Sequence, residues 1–274
     1  MGKKTSVWLI EALTNLHVGN ESLVNFSVID KSIQRDVVTT LPCINSSSLK
    51  GAVKEFVSSP GGLTEDKVIN IFGSIKKKGV NITQKESQST SSAPLASTEK
   101  KDVDITQKES QSTSSAPLAS TEKKDMNITQ KGSAIFFDAN LLLIPKPCTG
   151  EKTSYELITC VSLLNAFFDK AKVLGYEGSV EDKIKELQAK AQEKSFNEFA
   201  LLCNDDSLPI IARNCLESGE SVNLWYEQVL PSKSILGAII QTNEEDDLGI
   251  LNGKVIQIGA NATIGYGYCR FTKL

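Results

Sequence analysis

Apolar positions change spacing along this chain, and each change predicts an element. Residues 4–16 carry a dense apolar run with Val7-Trp8-Leu9-Ile10 at its centre, which predicts a first strand. Over 46–59 the spacing becomes helical. Leu49, Val53, Phe56 and Val57 recur behind a serine-rich start suited to N-capping, and Pro60-Gly61-Gly62 ends the pattern. Thr64 opens a short second helix over Glu65–Phe72. A continuous apolar run over 134–145, with Asp138 and Asn140 inside it, predicts a buried strand, and 155–160 predicts another. Helices follow at 162–174 and at 179–193, the latter with Val180, Ile184 and Leu187 on one side. Segments 234–241, 254–258 and 266–272 read as strands. Strands and helices interleave without a regular βαβ rhythm, so the fold class is α+β rather than a doubly wound sheet.

Between the second helix and the 134–145 run the periodicity disappears. Asn81-Ile82-Thr83-Gln84-Lys85 starts again at Asp104 and, truncated, at Asn127, a period of 23 residues, and residues 86–101 and 109–124 are identical. Each unit offers little beyond Ile, one Leu and two Ala among Ser, Thr, Gln, Lys and Glu. A stacked solenoid needs an apolar face that these units lack, so 76–132 reads as a disordered low-complexity insert, a duplicated surface tether whose removal leaves the core intact.

The 274 residues less this insert make a comfortable single domain. With 30 Lys+Arg against 33 Asp+Glu, the net charge of −3 excludes a generally cationic protein that holds nucleic acid by bulk charge, though not a local basic groove. The run at Val7 is too short for a signal-peptide core, and no stretch approaches the ~18 apolar residues of a membrane span, so a cytoplasmic protein without membrane contact is expected. Cys43, Cys148, Cys160, Cys203, Cys215 and Cys269 form no C-x-x-C pair and read as small buried apolar residues of a reducing compartment.

Three constellations carry candidate chemistry. Leu16-His17-Val18-Gly19 holds the only His, and Asp30 follows in Ile29-Asp30-Lys31-Ser32-Ile33-Gln34-Arg35-Asp36; a His and an Asp brought together serve proton transfer or metal binding, or else sit in a turn and a solvated loop. In Asn45-Ser46-Ser47-Ser48-Leu49-Lys50-Gly51, hydroxyls, free N–H groups at a helix start and a Lys make a phosphate cradle, although simple capping with an exposed Lys needs the same residues. The third is Gly259-Ala260-Asn261-Ala262-Thr263-Ile264-Gly265-Tyr266-Gly267-Tyr268. Its glycines permit close backbone approach, and its alternating tyrosines place one ring for base stacking and the other inward, unless the segment is only a tight hairpin.

Taken in order, these motifs resemble the RAMP superfamily of CRISPR RNA-binding proteins. Ile71-Phe72-Gly73-Ser74 and Phe136-Phe137-Asp138-Ala139-Asn140-Leu141 are similar to two further elements of that family. Leu224-Trp225-Tyr226-Glu227-Gln228-Val229-Leu230-Pro231 resembles an element of the branch that forms the repeating backbone of type III-B (Cmr) effector complexes. The type III-A backbone subunit shares the earlier motifs. The resemblance implies a ferredoxin-like (RRM-like) core with a β-hairpin thumb, here within 204–223, and copies laid head to tail along a CRISPR guide RNA beside other Cmr-type subunits. It implies that guide pairing reads the target RNA while the protein holds phosphates. The RNA-binding residues are then Gln34, Arg35, Ser47, Ser48, Lys50, Gly51, Lys54, Gly259, Asn261, Gly265, Tyr266 and Gly267; the remaining arginines, Arg213 and Arg270, are candidate phosphate or base-plane contacts, Arg213 alternatively an exposed thumb or loop charge.

By the same resemblance Asp30 is the ribonuclease residue, binding Mg2+ or another divalent cation, with His17 and Glu227 in support, the former alternatively an RNA contact and the latter structural, and Asp36 a solvated neighbour. The implied reaction is metal-dependent attack of a 2′-hydroxyl, cutting target RNA at 6-nt intervals set by the thumb; the alternative is a non-catalytic guide-RNA scaffold. Three positions depart from the pattern: Lys31 where an apolar residue is usual, Asn45-Ser46 where Pro-Gly or Pro-Ala is usual, and Lys54 where Arg is common.

Overall fold

The computed structural model describes residues 2–19, 29–76, 128–149 and 153–274. In chain order the described residues form β1 (Lys3–Ala12), β2 (Cys43–Ile44), α1 (Ser46–Val57), α2 (Glu65–Phe72), β3 (Gly73–Lys76), β4 (Ile128–Lys131), β5 (Ile135–Phe136), β6 (Ala139–Pro147) and β7 (Tyr155–Thr159). Then come α3 (Val161–Val173), α4 (Val180–Gln188), β8 (Gln192–Glu193), α5 (Phe196–Leu202), β9 (Ile210–Glu217), β10 (Glu220–Gln228), β11 (Ile235–Asn243), β12 (Val255–Gln257) and β13 (Tyr268–Lys273). Residues 1–74 with 130–274 form one compact unit, described below, and 75–129 form a second. Of the second only 75–76 and 128–129 are described, as strand.

The main sheet runs β12-β13-β1-β11-β6-β7-β8, with β2 also on β6 and β5 on β11. Of these neighbours only β7 and β8 run parallel. Its centre, β13-β1-β11-β6, has the first and third core strands inside and the second and fourth outside, the ferredoxin-like order.

Both faces of β1 are covered. Trp8, Ile10 and Ala12 pack with Leu49, Val53 and Val57 of α1 and with Val68, Ile71 and Phe72 of α2. Val7 and Leu9 pack on the other side with Phe167, Phe168 and Ala171 of α3 and with Val180 and Leu187 of α4. A strand buried on two faces has no polar side to show, which is why its sequence is a run and not an alternation. At Gly237 of β11 an added Cβ would lie 2.6 Å from the Phe167 ring, so α3 seats directly on the sheet backbone.

Several predicted boundaries shift, each for a tertiary reason. The first strand stops at Ala12 because the chain turns, leaving Leu16 as an isolated bridge to Leu230. The 134–145 strand is two pieces broken at Phe137-Asp138, where the Asp138 carboxylate accepts the Ser46 N–H at 2.6 Å. The N-terminus of α1 is therefore met by an acid 92 residues away, not by its serines. Neither Asn45 nor Thr64 makes a side-chain cap, whereas Ser179 does.

The helix expected over 179–193 ends at Gln188, after which β8 pairs with β7 and a capping box at Ser195 and Glu198 starts α5. The hairpin placed at 204–223 spans β9 and β10, 210 to 228, joined at Ser218-Gly219, both at positive φ as a tight primed turn requires. The insert expected over 76–132 is strand at Lys76 and at Ile128–Lys131; its residues 77–127 lie outside the described residues. Cys43, Cys160, Cys203 and Cys269 are buried free thiols, but Cys148 is half-buried and Cys215 is exposed on β9. Burial pushes Cys43, Cys203 and Cys269 up to about 12, which keeps them protonated and inert. Among the described residues no helix is long and apolar enough to cross a membrane.

Candidate functional site

The site forms where the chain leaving β1 meets the root of the β9–β10 hairpin. Leu16 and Leu230 exchange backbone hydrogen bonds of 2.9 and 2.8 Å, setting His17 beside the end of β10. His17 is 3% exposed. Its Nδ1–H donates to the Gln228 carbonyl at 2.7 Å, and Nε2 stands 3.5 Å from Glu227 Oε1. The other Glu227 oxygen accepts from Arg213 Nε at 3.1 Å and from Asn261 Nδ2 at 2.9 Å. Three residues far apart in sequence thus surround one carboxylate that is 1% exposed. Burial pushes the Glu227 carboxyl up, but the Asn261 amide, the charge on His17 and the Arg213 guanidinium outweigh it and hold the net value below the usual carboxylate range. The Arg213 guanidinium also lies over the Tyr266 ring, 4.6 Å from its centroid.

Asp30 approaches the same hairpin from outside. Its N–H and that of Lys31 donate to the Tyr226 carbonyl at 3.0 and 3.1 Å, and its Oδ2 accepts the Tyr226 N–H at 2.7 Å. Gln228 N–H closes the contact on the Lys31 carbonyl at 2.9 Å. Asp30 is exposed, and Lys31 pairs in a parallel bridge with Glu227. Asp30, His17 and Glu227 all stand at the hairpin root, Asp30 facing solvent and the other two enclosed. Most of the loop between Gly19 and Asp30, residues 20–28, lies outside the described residues.

His17 and Glu227 are the sequence's supporting candidates, His17 alternatively an RNA contact and Glu227 alternatively structural. Their polar atoms are engaged inside the protein, and what they do is fix the hairpin root. Arg35, expected on RNA, donates to the carbonyls of Thr40 and Cys203 and to the Asp205 carboxylate, tying its loop to the end of α5. Gln34 meets Val18 and Cys43 through its backbone. Asp36, expected to be a solvated neighbour, is half-buried; partial burial pushes its carboxyl up, but bonds from Thr39 and Val38 bring it below its ordinary value. The glycine segment divides by role. Added Cβ atoms at Gly259 and Gly267 would lie 2.2 Å from His17 O and 2.0 Å from Ile258 O, so both permit backbone contacts within the fold. Gly265 faces open space at positive φ, as does the turn it ends. Tyr266 is half-buried and Tyr268 exposed, so neither ring points into the core as expected of one of them.

The α1 residues form a separate strip. Ser47, Gly51 and Lys54 are exposed, Ser48 and Lys50 are half-buried, and Lys54 Nζ reaches Gly73 O at 3.5 Å. The helix start is not the open anion cradle expected from sequence, since Asp138 already occupies the Ser46 N–H. The strip that faces outward is Ser47, Lys50 and Gly51 along the helix side.

The family described as the RAMP superfamily matches residues 9–270. The chain belongs to the RAMP superfamily. The match runs from β1 to β13 and takes in every site residue above. Within this superfamily the chain is 25% identical, over 95% of its length and 92% of the relative's, to the CRISPR system Cmr endoribonuclease Cmr4 of Pyrococcus furiosus. Two solved structures share the fold. One is a chain of the type III-B Cmr-β complex bound to cognate target RNA, with a TM-score of 0.64, 18% identity and coverage of 98% and 97% of the two chains. The other is oligomeric Cmr4 from Pyrococcus furiosus, with a TM-score of 0.57, 16% identity and 99% of both chains covered.

Arg213, a candidate phosphate or base-plane contact in the sequence, donates to Glu227 instead; 196 positions separate it from His17, and only the hairpin brings them together. Trp225 and Lys31 were passed over, although Lys31 had been visible as a departure from the family pattern. Among the described residues no three His, Cys, Asp or Glu side chains group as a metal cage. Asp30, exposed and with one oxygen on Tyr226, fits a single contact to a hydrated Mg2+ that draws its other ligands from water and phosphate.

Proposed function

We propose that this RAMP chain is a guide-RNA-binding backbone subunit of a type III effector complex of the Cmr kind, assembled in repeated copies with other Cmr-type subunits on guide and target RNA. One observation carries the reading. Gly51 sits inside α1, exposed, with no positive φ and with nothing within 4 Å of an added Cβ. Neither backbone conformation nor packing calls for glycine there, and a helix-interior glycine costs about 1 kcal/mol against alanine. The reason for it lies outside the chain, in a ligand that approaches the helix backbone between Ser47 and Lys50. The likeness to a Cmr4 subunit along nearly the whole chain supplies the ligand class. Gly51→Ala is expected to raise unfolding stability by about 0.5–1 kcal/mol and to weaken guide-RNA binding several-fold. Stability and affinity measured on the same variant therefore move in opposite directions, and unchanged affinity would remove the helix from the RNA site.

A second reading, target cleavage, is favoured by Asp30 standing exposed at the hairpin root on a backbone pinned by Tyr226 and Gln228. In this reaction a 2′-oxygen bonds to the adjacent phosphorus and its proton is released. The bond from phosphorus to the 5′-oxygen breaks, and that oxygen takes up a proton, leaving a 2′,3′-cyclic phosphate and a 5′-hydroxyl. A divalent cation held by Asp30 would neutralise charge on the phosphate. The hairpin, fixed at its root by Glu227, Arg213 and His17, holds the strand in line for attack. Asp30→Ala is expected to leave assembly and guide binding intact and to abolish cuts at 6-nt spacing. A persisting ladder of products would remove Asp30 from the reaction.

A further inference from the structure

We propose that Lys31 is a phosphate-binding residue for the RNA strand that crosses the hairpin root. The assignment rests on the RNA-binding reading above and adds to it a residue that the family pattern does not supply. Lys31 is exposed, and its backbone is fixed from two sides, its N–H on Tyr226 O and its carbonyl receiving Gln228 N–H. Its side chain is placed too. Nζ stands 4.9 Å from the centroid of the Trp225 ring, a cation–π contact that holds the ammonium group in place. Among the described residues no carboxylate pairs with this ammonium group. Its sequence neighbour Asp30 has turned one oxygen to the Tyr226 N–H instead.

The surroundings are short of acceptors. Trp225 lies cross-strand from Arg213, and both project from the hairpin face that carries Glu227. Arg213 Nη2 and Trp225 Nε1 are buried donors without an acceptor among the described residues. Glu227 on that face already receives Arg213 and Asn261 and stands 3.5 Å from His17 Nε2. An exposed, unpaired cation over the Trp225 ring, in surroundings short of acceptors, suits a group that brings oxygens and negative charge and no donors of its own. An RNA phosphodiester is such a group. A lysine held as a point charge at the end of a fixed backbone can meet it without reading base sequence.

The test uses guide-loaded complexes of the full chain carrying Lys31→Met, Lys31→Arg or Asp30→Ala. Guide binding and target binding are each measured as a function of salt. Each phosphate contact contributes a slope of about 0.7 in log K against log salt for a single strand, so repeated copies multiply the effect. Lys31→Met is expected to flatten the slope by about that amount per bound copy, and Lys31→Arg to preserve it. The step in which the slope falls, guide or target, identifies the strand. Wild-type slopes in both steps for Lys31→Met overturn the assignment, and so does an equal loss in Lys31→Arg, which would implicate the loop backbone. Asp30→Ala reads the nuclease proposal separately. If it still cuts while Lys31→Met flattens the slope, cleavage by Asp30 fails and the phosphate contact stands.

Discussion

Glu227→Ala is expected to destabilise the fold by about 3 kcal/mol, seen as a lower denaturant midpoint with an unchanged slope. Removing the carboxylate leaves Arg213, Asn261 and His17 without the acceptor around which they are arranged. Breaking a buried pair by deleting one partner typically costs about 3–5 kcal/mol, since the surviving charge remains in a poor solvent. The lower end applies here because the Arg213 side chain keeps 21% exposure and regains some water. Glu227→Gln keeps the shape and an acceptor for Asn261, so a smaller loss is expected.

The same carboxylate sets a pH dependence. Its folded pKa lies below the ordinary value of 4.5, so its stabilisation is complete above that value and is lost as pH falls through the folded pKa. Stability of the wild type below about pH 4.5 should therefore decline more steeply than that of Glu227→Gln, which has no proton to take up at this position. Parallel acid slopes in the two proteins would mean that Glu227 is not charged in the folded state.

Gly259→Ala is expected to cost about 3–4 kcal/mol and to loosen the site with the fold. Gly259 has φ +81°, a conformation that an L-residue adopts at about 1–2 kcal/mol. Its added Cβ would lie 2.2 Å from the His17 carbonyl oxygen, an atom already bonded to the Ala260 N–H at 2.9 Å. Backbone cannot move aside as a flexible side chain can, so the segment and the β1 exit must separate, at a further ~1–3 kcal/mol. Because Asn261 follows two residues later and holds Glu227, the variant should also lose part of the pH dependence assigned to that carboxylate. A variant with the wild-type midpoint would show that the two segments are less closely joined than their geometry requires.

Much of the core was legible in the chain. The helix Glu65–Phe72 lies where its apolar spacing and its following glycine place it, and the both-faces burial of β1 follows from its unbroken apolar run. The hairpin strands were harder to see as strands. Their exposed apolar residues Leu216, Val222, Leu224 and Tyr226 alternate with polar ones around a bulge, a pattern that one buried face would have regularised. The short helix α5 carried a readable signal, Ser195 with Glu198 three residues on, but the amphipathic pattern before it concealed the break.

By itself the sequence determined the α+β class, the repeat segment and the family, because these follow from local periodicity and from motifs contiguous in the chain. It also named His17, Asp30 and Glu227 as candidates, but not their unequal exposure. Only the tertiary structure decided that Glu227 is a buried hub, that Arg35 holds a loop, that Asp138 occupies the start of α1, and that Lys31 stands over Trp225. Each of these depends on where a side chain ends relative to an element many residues away. Charge, hydrogen bonding and solvent access at such a place are properties of the packed arrangement, and no spacing along the chain encodes them.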